Sequence, residues 1–145
     1  MDNAILVEEL RNTISALRKT QGHVALFMLT ASEANVSIAQ NLIVSTKGYD
    51  RMLTKDALIH LINLLKSKLS ENSLKQLSRL TVLKTQDPFV KAINQAFNVK
   101  NSTVSLQSSN IFGIHIENAV ILESLSLPPK QIKPAKKKQT KRKKL

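Results

Sequence analysis

The feature that most constrains the fold is an unbroken apolar run, Val24 to Leu29, near the start of the chain. Side chains along a strand point alternately to its two faces, so a strand that is apolar at every position must be covered on both faces. The run therefore predicts the central strand of a sheet. A polar connection leads to a second apolar run, Leu42 to Val44, and its shortness favours an antiparallel pair.

Apolar residues at helical spacing predict two amphipathic helices. The first spans Asn3 to Lys19 and stops before Gly22. The second starts after Thr54, which is placed to cap its first turn. Its apolar positions cover a wide sector, which predicts a helix covered on more than one side; they are Ala57, Leu58, Ile59, Leu61, Ile62, Leu64, Leu65 and Leu69.

The next segment contains the sharpest local signals. Ser70 predicts the cap of a short helix, and the alternation from Arg79 to Thr85 predicts a strand. In Asp87-Pro88 the aspartate can cap a helix, and the proline fits the first helical position, where its missing N–H costs nothing. This helix is predicted to run to Phe97, with Asn98 as a left-handed stop.

The residues after Asn98 alternate and predict about three strands, with a tight turn at Glu117-Asn118 between the last two. The order of elements predicts one α+β domain over residues 1–126. We expect a largely antiparallel sheet of about five to six strands, with about four helices.

The charge of the chain is strongly segregated. Its net charge is +12, but residues 127–145 hold nine lysines or arginines and no acid, against thirteen basic and ten acidic residues before them. Three prolines and few apolar groups in this stretch predict a disordered tail, since too little surface can be buried to offset the loss of chain entropy.

A dense cationic tail binds polyanions by neutralising phosphates and releasing counterions. The sequence therefore predicts nucleic-acid contact without sequence preference, because nothing rigid would reach a base edge. A nuclear import signal and a tail that only improves solubility remain open alternatives. The predicted contact residues are Lys130, Lys133, Lys136, Lys137, Lys138, Lys141, Arg142, Lys143 and Lys144.

A second candidate site is the loop between the second strand and the following long helix. Lys47 and Arg51 flank Gly48 and Tyr49 there. Backbone N–H groups near a helix start, together with two cations, could hold a phosphate or carboxylate, and Tyr49 could stack on a base or ring. A polar connection that turns at Gly48 explains the same residues without a ligand.

Other function classes have weaker support. His115 and Glu117 lie two residues apart on a predicted strand and could form the acid–base pair of a small hydrolase or transferase. No cysteine and no paired-histidine spacing is present, so no metal or cofactor is predicted. The main alternative to nucleic-acid binding is a protein-interaction module whose tail only sets its location.

The sequence also bears on location. No apolar run approaches a membrane span, and the start of the chain lacks the residue order of a secretory signal. We therefore expect a cytoplasmic protein, or a nuclear one in a eukaryotic host, with no membrane partner. The oligomeric state stays open.

Overall fold

A computed structural model of the chain describes residues 4–31, 40–100 and 102–126, apart from the side chain of Glu117. The predicted tail, residues 127–145, lies outside the described residues. The helices are α1 (Ala4–Gln21), α2 (Thr54–Lys68), α3 (Glu71–Lys75) and α4 (Pro88–Ala96), with a 3-10 helix at Gly48–Arg51. The strands are β1 (Val24–Ala31), β2 (Gln40–Thr46), β3 (Leu77–Val82), β4 (Val104–Ile111) and β5 (Ile114–Ser124).

The strands form one sheet in the order β3-β2-β1-β5-β4. All neighbouring pairs are antiparallel except β2 and β3, which the helical crossover through α2 and α3 makes parallel. The predicted α+β class and largely antiparallel sheet are confirmed.

Strand β1 is the central strand, as the apolar run predicted, and its residues Val24 to Leu29 are all buried. They divide between two cores. Phe27 and Leu29 pack under α1 and α2 on one face, whereas Leu26 and Met28 pack on the other face with Val90 and Ile93 of α4. The sheet is therefore covered on both sides at its centre.

Helix α2 differs from its prediction in two respects. It begins at Thr54 with Leu53 as its N-cap, so Thr54 lies inside the helix and does not cap it. Its buried positions are Ala57, Leu61 and Leu65, but Ile59 is 48% exposed and Ile62 is 37% exposed. Among the described residues, α1 and the sheet contact a single face of α2, so the prediction that this helix is covered on more than one side is wrong.

Two predicted helix caps are confirmed. The Ser70 hydroxyl accepts a hydrogen bond from the Ser73 N–H (3.3 Å), and the Asp87 carboxylate accepts one from the Phe89 N–H (2.8 Å). The predicted stop at Asn98 is wrong. Helix α4 ends at Ala96 and Phe97 is extended, so no left-handed residue is needed there.

The last hairpin also differs from its prediction. The turn lies at Phe112-Gly113, and β5 runs without interruption through the predicted turn at Glu117-Asn118. The alternation of apolar residues changes phase there. Ile114 and Ile116 occupy even positions, and Ala119 and Ile121 occupy odd positions, yet all four belong to the same core. A phase change inside one strand therefore resembles the boundary between two strands.

The hairpin turn holds a residue in an unfavourable conformation. Phe112 has φ +49° and is 67% exposed, and it precedes Gly113 at φ +84°. Positive φ at both turn positions favours Asn-Gly over Phe-Gly, since a bulky side chain costs about 1–2 kcal/mol in this region. We expect Phe112→Asn to raise the free energy of unfolding by about 1 kcal/mol in urea denaturation.

Phe112→Leu is the matched control for this prediction. Leucine also removes the ring but tolerates positive φ no better, so we expect no gain in stability from it. Equal stabilisation by both substitutions would show that the gain in stability comes from removing the exposed ring and not from relieving the backbone conformation.

Candidate nucleic-acid interface

The nine predicted tail cations, Lys130 to Lys144, lie outside the described residues, but the structure shows where the chain leads towards them. Leu125 leaves the end of β5 with its N–H donating to the Ala25 carbonyl (3.0 Å). Its own carbonyl hydrogen-bonds with the His23 ring nitrogen Nε2 (2.7 Å). The last described residues are therefore held against the start of β1.

His23 also contacts the second candidate site. Its backbone carbonyl accepts a hydrogen bond from the Lys47 N–H (2.9 Å). A single residue thus joins the root of the tail at Leu125 to the loop that begins at Lys47. The last described residues and the loop at Lys47 therefore lie at the same end of the sheet.

The loop itself borders a groove of about 390 Å³ between the end of α1 and the 3-10 helix. Arg51 is exposed at this groove and Lys47 is half-buried. The lining residues are Thr20, Gln21, Gly22, Lys47, Gly48, Arg51 and Met52. The end of α1 presents carbonyl groups here, which by themselves favour cations, so any attraction for an anion must come from the two basic side chains.

Several backbone N–H groups of the loop already have partners within the protein. The N–H of Tyr49 donates to the Thr46 hydroxyl (3.0 Å), that of Asp50 to the Lys47 carbonyl (3.2 Å), and that of Met52 to the Tyr49 carbonyl (3.1 Å). Together with the Lys47 N–H, these donors are used inside the fold. They are not free to bind a ligand, and anion binding at Lys47, Gly48 and Arg51 stays a prediction.

The prediction that Tyr49 stacks on a base or ring is wrong. The ring is buried under α2, and its hydroxyl forms a hydrogen bond with Nδ1 of His60 (2.8 Å). Burial raises the pKa of the Tyr49 hydroxyl above its ordinary value. Tyr49 is a core residue that anchors the loop, and it cannot reach a base.

A second set of contacts fixes the loop from the opposite side. The Lys84 ammonium donates to the carbonyls of Asp50 (3.0 Å) and Met52 (3.1 Å). The Asp50 carboxylate accepts hydrogen bonds from the N–H (2.8 Å) and the hydroxyl (2.5 Å) of Thr85. The loop is therefore held in place, with Arg51 on its outer side.

The end of the molecule that carries the tail root has a further groove. It measures about 390 Å³, and both Lys91 and Ser126 line it. Lys91 is exposed, so a basic side chain lies beside the last described residue. Sequence reasoning missed Lys91 and the linking role of His23, because neither is close in sequence to the residues that it meets.

The histidine of the enzymatic alternative lies at the surface. His115 is exposed and lines a shallow groove of about 300 Å³ in which the other described lining residues are not titratable. Within the described part of the chain, no group of three or more His, Cys, Asp or Glu residues could hold a metal ion. The acid–base pair with Glu117 stays a prediction.

No helix in the described ranges combines the length and the apolar character that crossing a membrane requires. Comparisons with protein-family models, curated proteins and solved structures found no match to this chain.

Proposed function

We propose that the protein contacts nucleic acid without sequence preference, and that its C-terminal cations supply most of the binding energy. The observation that carries this proposal is the segregation of charge, with nine basic residues and no acid after residue 126. Such a segment binds phosphates through counterion release, whichever bases they carry.

The geometry of the domain supports the same proposal. Arg51 and Lys91 are exposed at the end of the sheet from which the chain leads towards the tail. The nearby Asp50 carboxylate is turned onto Thr85. A polyanion held by the tail would therefore meet further basic groups on the domain, where hydrogen bonds from Thr85 hold the Asp50 carboxylate.

The test compares the full chain with a full-length variant in which all nine tail cations are replaced by glutamine. Binding to fluorescent DNA duplexes of unrelated sequence is measured by anisotropy over a range of salt concentrations. If every tail cation engages a phosphate, the slope of log affinity against log salt approaches about −8 for the native chain. We expect the neutralised variant to bind roughly 1,000-fold more weakly at low salt.

Single substitutions test the contribution of the domain. We expect Arg51→Gln to make the salt slope shallower by about 1. Lys75→Gln is the control, because Lys75 is also exposed but ends α3, away from the tail root. Equal binding by the native and neutralised chains, or a preference of more than about tenfold for one duplex sequence, would reject the proposal.

Binding of a protein partner is the second candidate function. The observation that favours it is the apolar surface that α2 leaves exposed at Ile59 and Ile62.

A further inference from the structure

Helix α2 carries a second apolar stripe that the described residues leave largely exposed. Besides Ile59 and Ile62, the stripe includes Leu58, which is half-buried. At 100° per residue these three side chains lie about 60–160° around the helix from the buried Leu61. Residues at this spacing form one continuous strip on a helix surface, unlike apolar residues scattered singly over a protein.

Two lysines bracket this stripe along the helix axis. Lys55 lies one turn before Leu58 and Lys66 lies one turn after Ile62, both exposed and both within the same sector. The distance between their positions along the axis is about 16 Å. The one acid of α2, Asp56, lies about 60° around the helix from Ile59 and borders the stripe on that side, whereas both lysines lie within it.

The charges decide which occupant fits. In an antiparallel pair of α2 helices centred on Ile59 and Ile62, Lys55 of one copy would face Lys66 of the other. In a parallel, in-register pair, each lysine would face its own equivalent. Both arrangements place like charges together, so a second copy of the chain is disfavoured. The cationic tail of the chain is disfavoured for the same reason.

We propose that the stripe of Leu58, Ile59 and Ile62 docks an amphipathic helix of a partner protein whose apolar face is flanked by acidic residues. Apolar side chains of the partner would cover the two exposed isoleucines, and its carboxylates would pair with Lys55 and Lys66. This proposal rests on the second candidate function, binding of a protein partner, and does not depend on the proposed nucleic-acid contact.

The probe is a synthetic helix of about 15 residues with leucines at helical spacing and flanking glutamates. A second peptide carries lysines in place of the glutamates. Because the native tail would attract any acidic peptide, binding is measured on the full chain with its nine tail cations replaced by glutamine, by fluorescence anisotropy. We expect the acidic peptide to bind and the basic peptide not to bind.

Substitutions then locate the site. We expect Ile59→Gln with Ile62→Gln to weaken binding of the acidic peptide at least tenfold. We expect Lys55→Glu with Lys66→Glu to reverse the preference of the protein, so that the basic peptide binds better than the acidic one. Ile5→Gln is the matched control, because Ile5 is an exposed isoleucine on α1 outside the stripe, and it should change nothing. Circular dichroism and thermal unfolding verify that each variant is folded.

Three results would overturn the proposal. One is no binding of the acidic peptide. Another is equal binding to the protein with and without the two isoleucines. The third is a concentration-dependent dimer, seen in sedimentation, that disappears in the Ile59→Gln, Ile62→Gln protein, since a second copy would then be the occupant. Loss of nucleic-acid binding in the tail variant has no bearing on any of the three.

Discussion

Replacing Arg18 by methionine is expected to lower the free energy of unfolding by about 3 kcal/mol. Arg18 of α1 forms an ion pair with Glu123 of β5, whose side chain is only 1% exposed. The substitution would leave a buried carboxylate without its cation, and that is the costly way to break a buried pair. We place the loss near the lower end of the usual range because the Arg18 side chain is 35% exposed, so water could take part of its place.

Urea denaturation of three variants would test this explanation. Lys19→Met changes an exposed neighbour on the same helix and should stay within about 0.5 kcal/mol of the native protein. Adding Glu123→Leu to Arg18→Met should recover much of the loss, because the unpaired charge is then gone. A loss below about 0.5 kcal/mol for Arg18→Met alone would show that the pair does not hold α1 on the sheet.

Replacing Gly48 by alanine is expected to cost about 2–3 kcal/mol. A Cβ at this position would lie 2.7 Å from the Gln21 carbonyl oxygen and 2.9 Å from the Gln21 Cα, besides 2.2 Å from the side-chain oxygen Oε1. The side chain of Gln21 can rotate away, but its backbone cannot. The end of α1 and the 3-10 helix would have to separate.

Gly22→Ala is the matched control, because a Cβ there meets nothing within 4 Å and the penalty comes only from φ +77°. We expect that variant to lose about 1 kcal/mol. Tyr49 follows Gly48 directly and is the one tyrosine of a chain without tryptophan, so its fluorescence reports on this contact. Equal stabilities of the two variants, with unchanged Tyr49 emission in Gly48→Ala, would contradict the predicted clash.

Part of the structure was predictable because its signals are local in the sequence. The central strand, the caps at Ser70 and Asp87 and the stop at Gly22 depend on residues within a few positions of one another, and local patterns report them directly. The turn at Glu117-Asn118 was mispredicted from the same kind of evidence. The alternation of apolar and polar residues changes phase at this point. The same change is expected within one irregular strand and at the boundary between two strands, so the sequence pattern does not distinguish them.

The candidate site was harder to predict because its contacts are long-range. His23 meets Leu125, 102 residues further along the chain, and Arg18 meets Glu123 at a similar separation. The burial of Tyr49 depends on how α2 packs over the loop, and no pattern near Tyr49 distinguishes a buried ring from one available to stack on a base.

By itself, the sequence determined the α+β class, the central position of β1 and the separation of a cationic segment from a nearly balanced domain, because hydrophobic periodicity and charge are properties of local composition. Only the tertiary structure decided that Tyr49 belongs to the core, that the tail root adjoins the Lys47 loop, and that Ile59 and Ile62 stay exposed. A helix can bury only as much of its surface as its neighbours reach, and strand pairing and helix packing determine which neighbours those are.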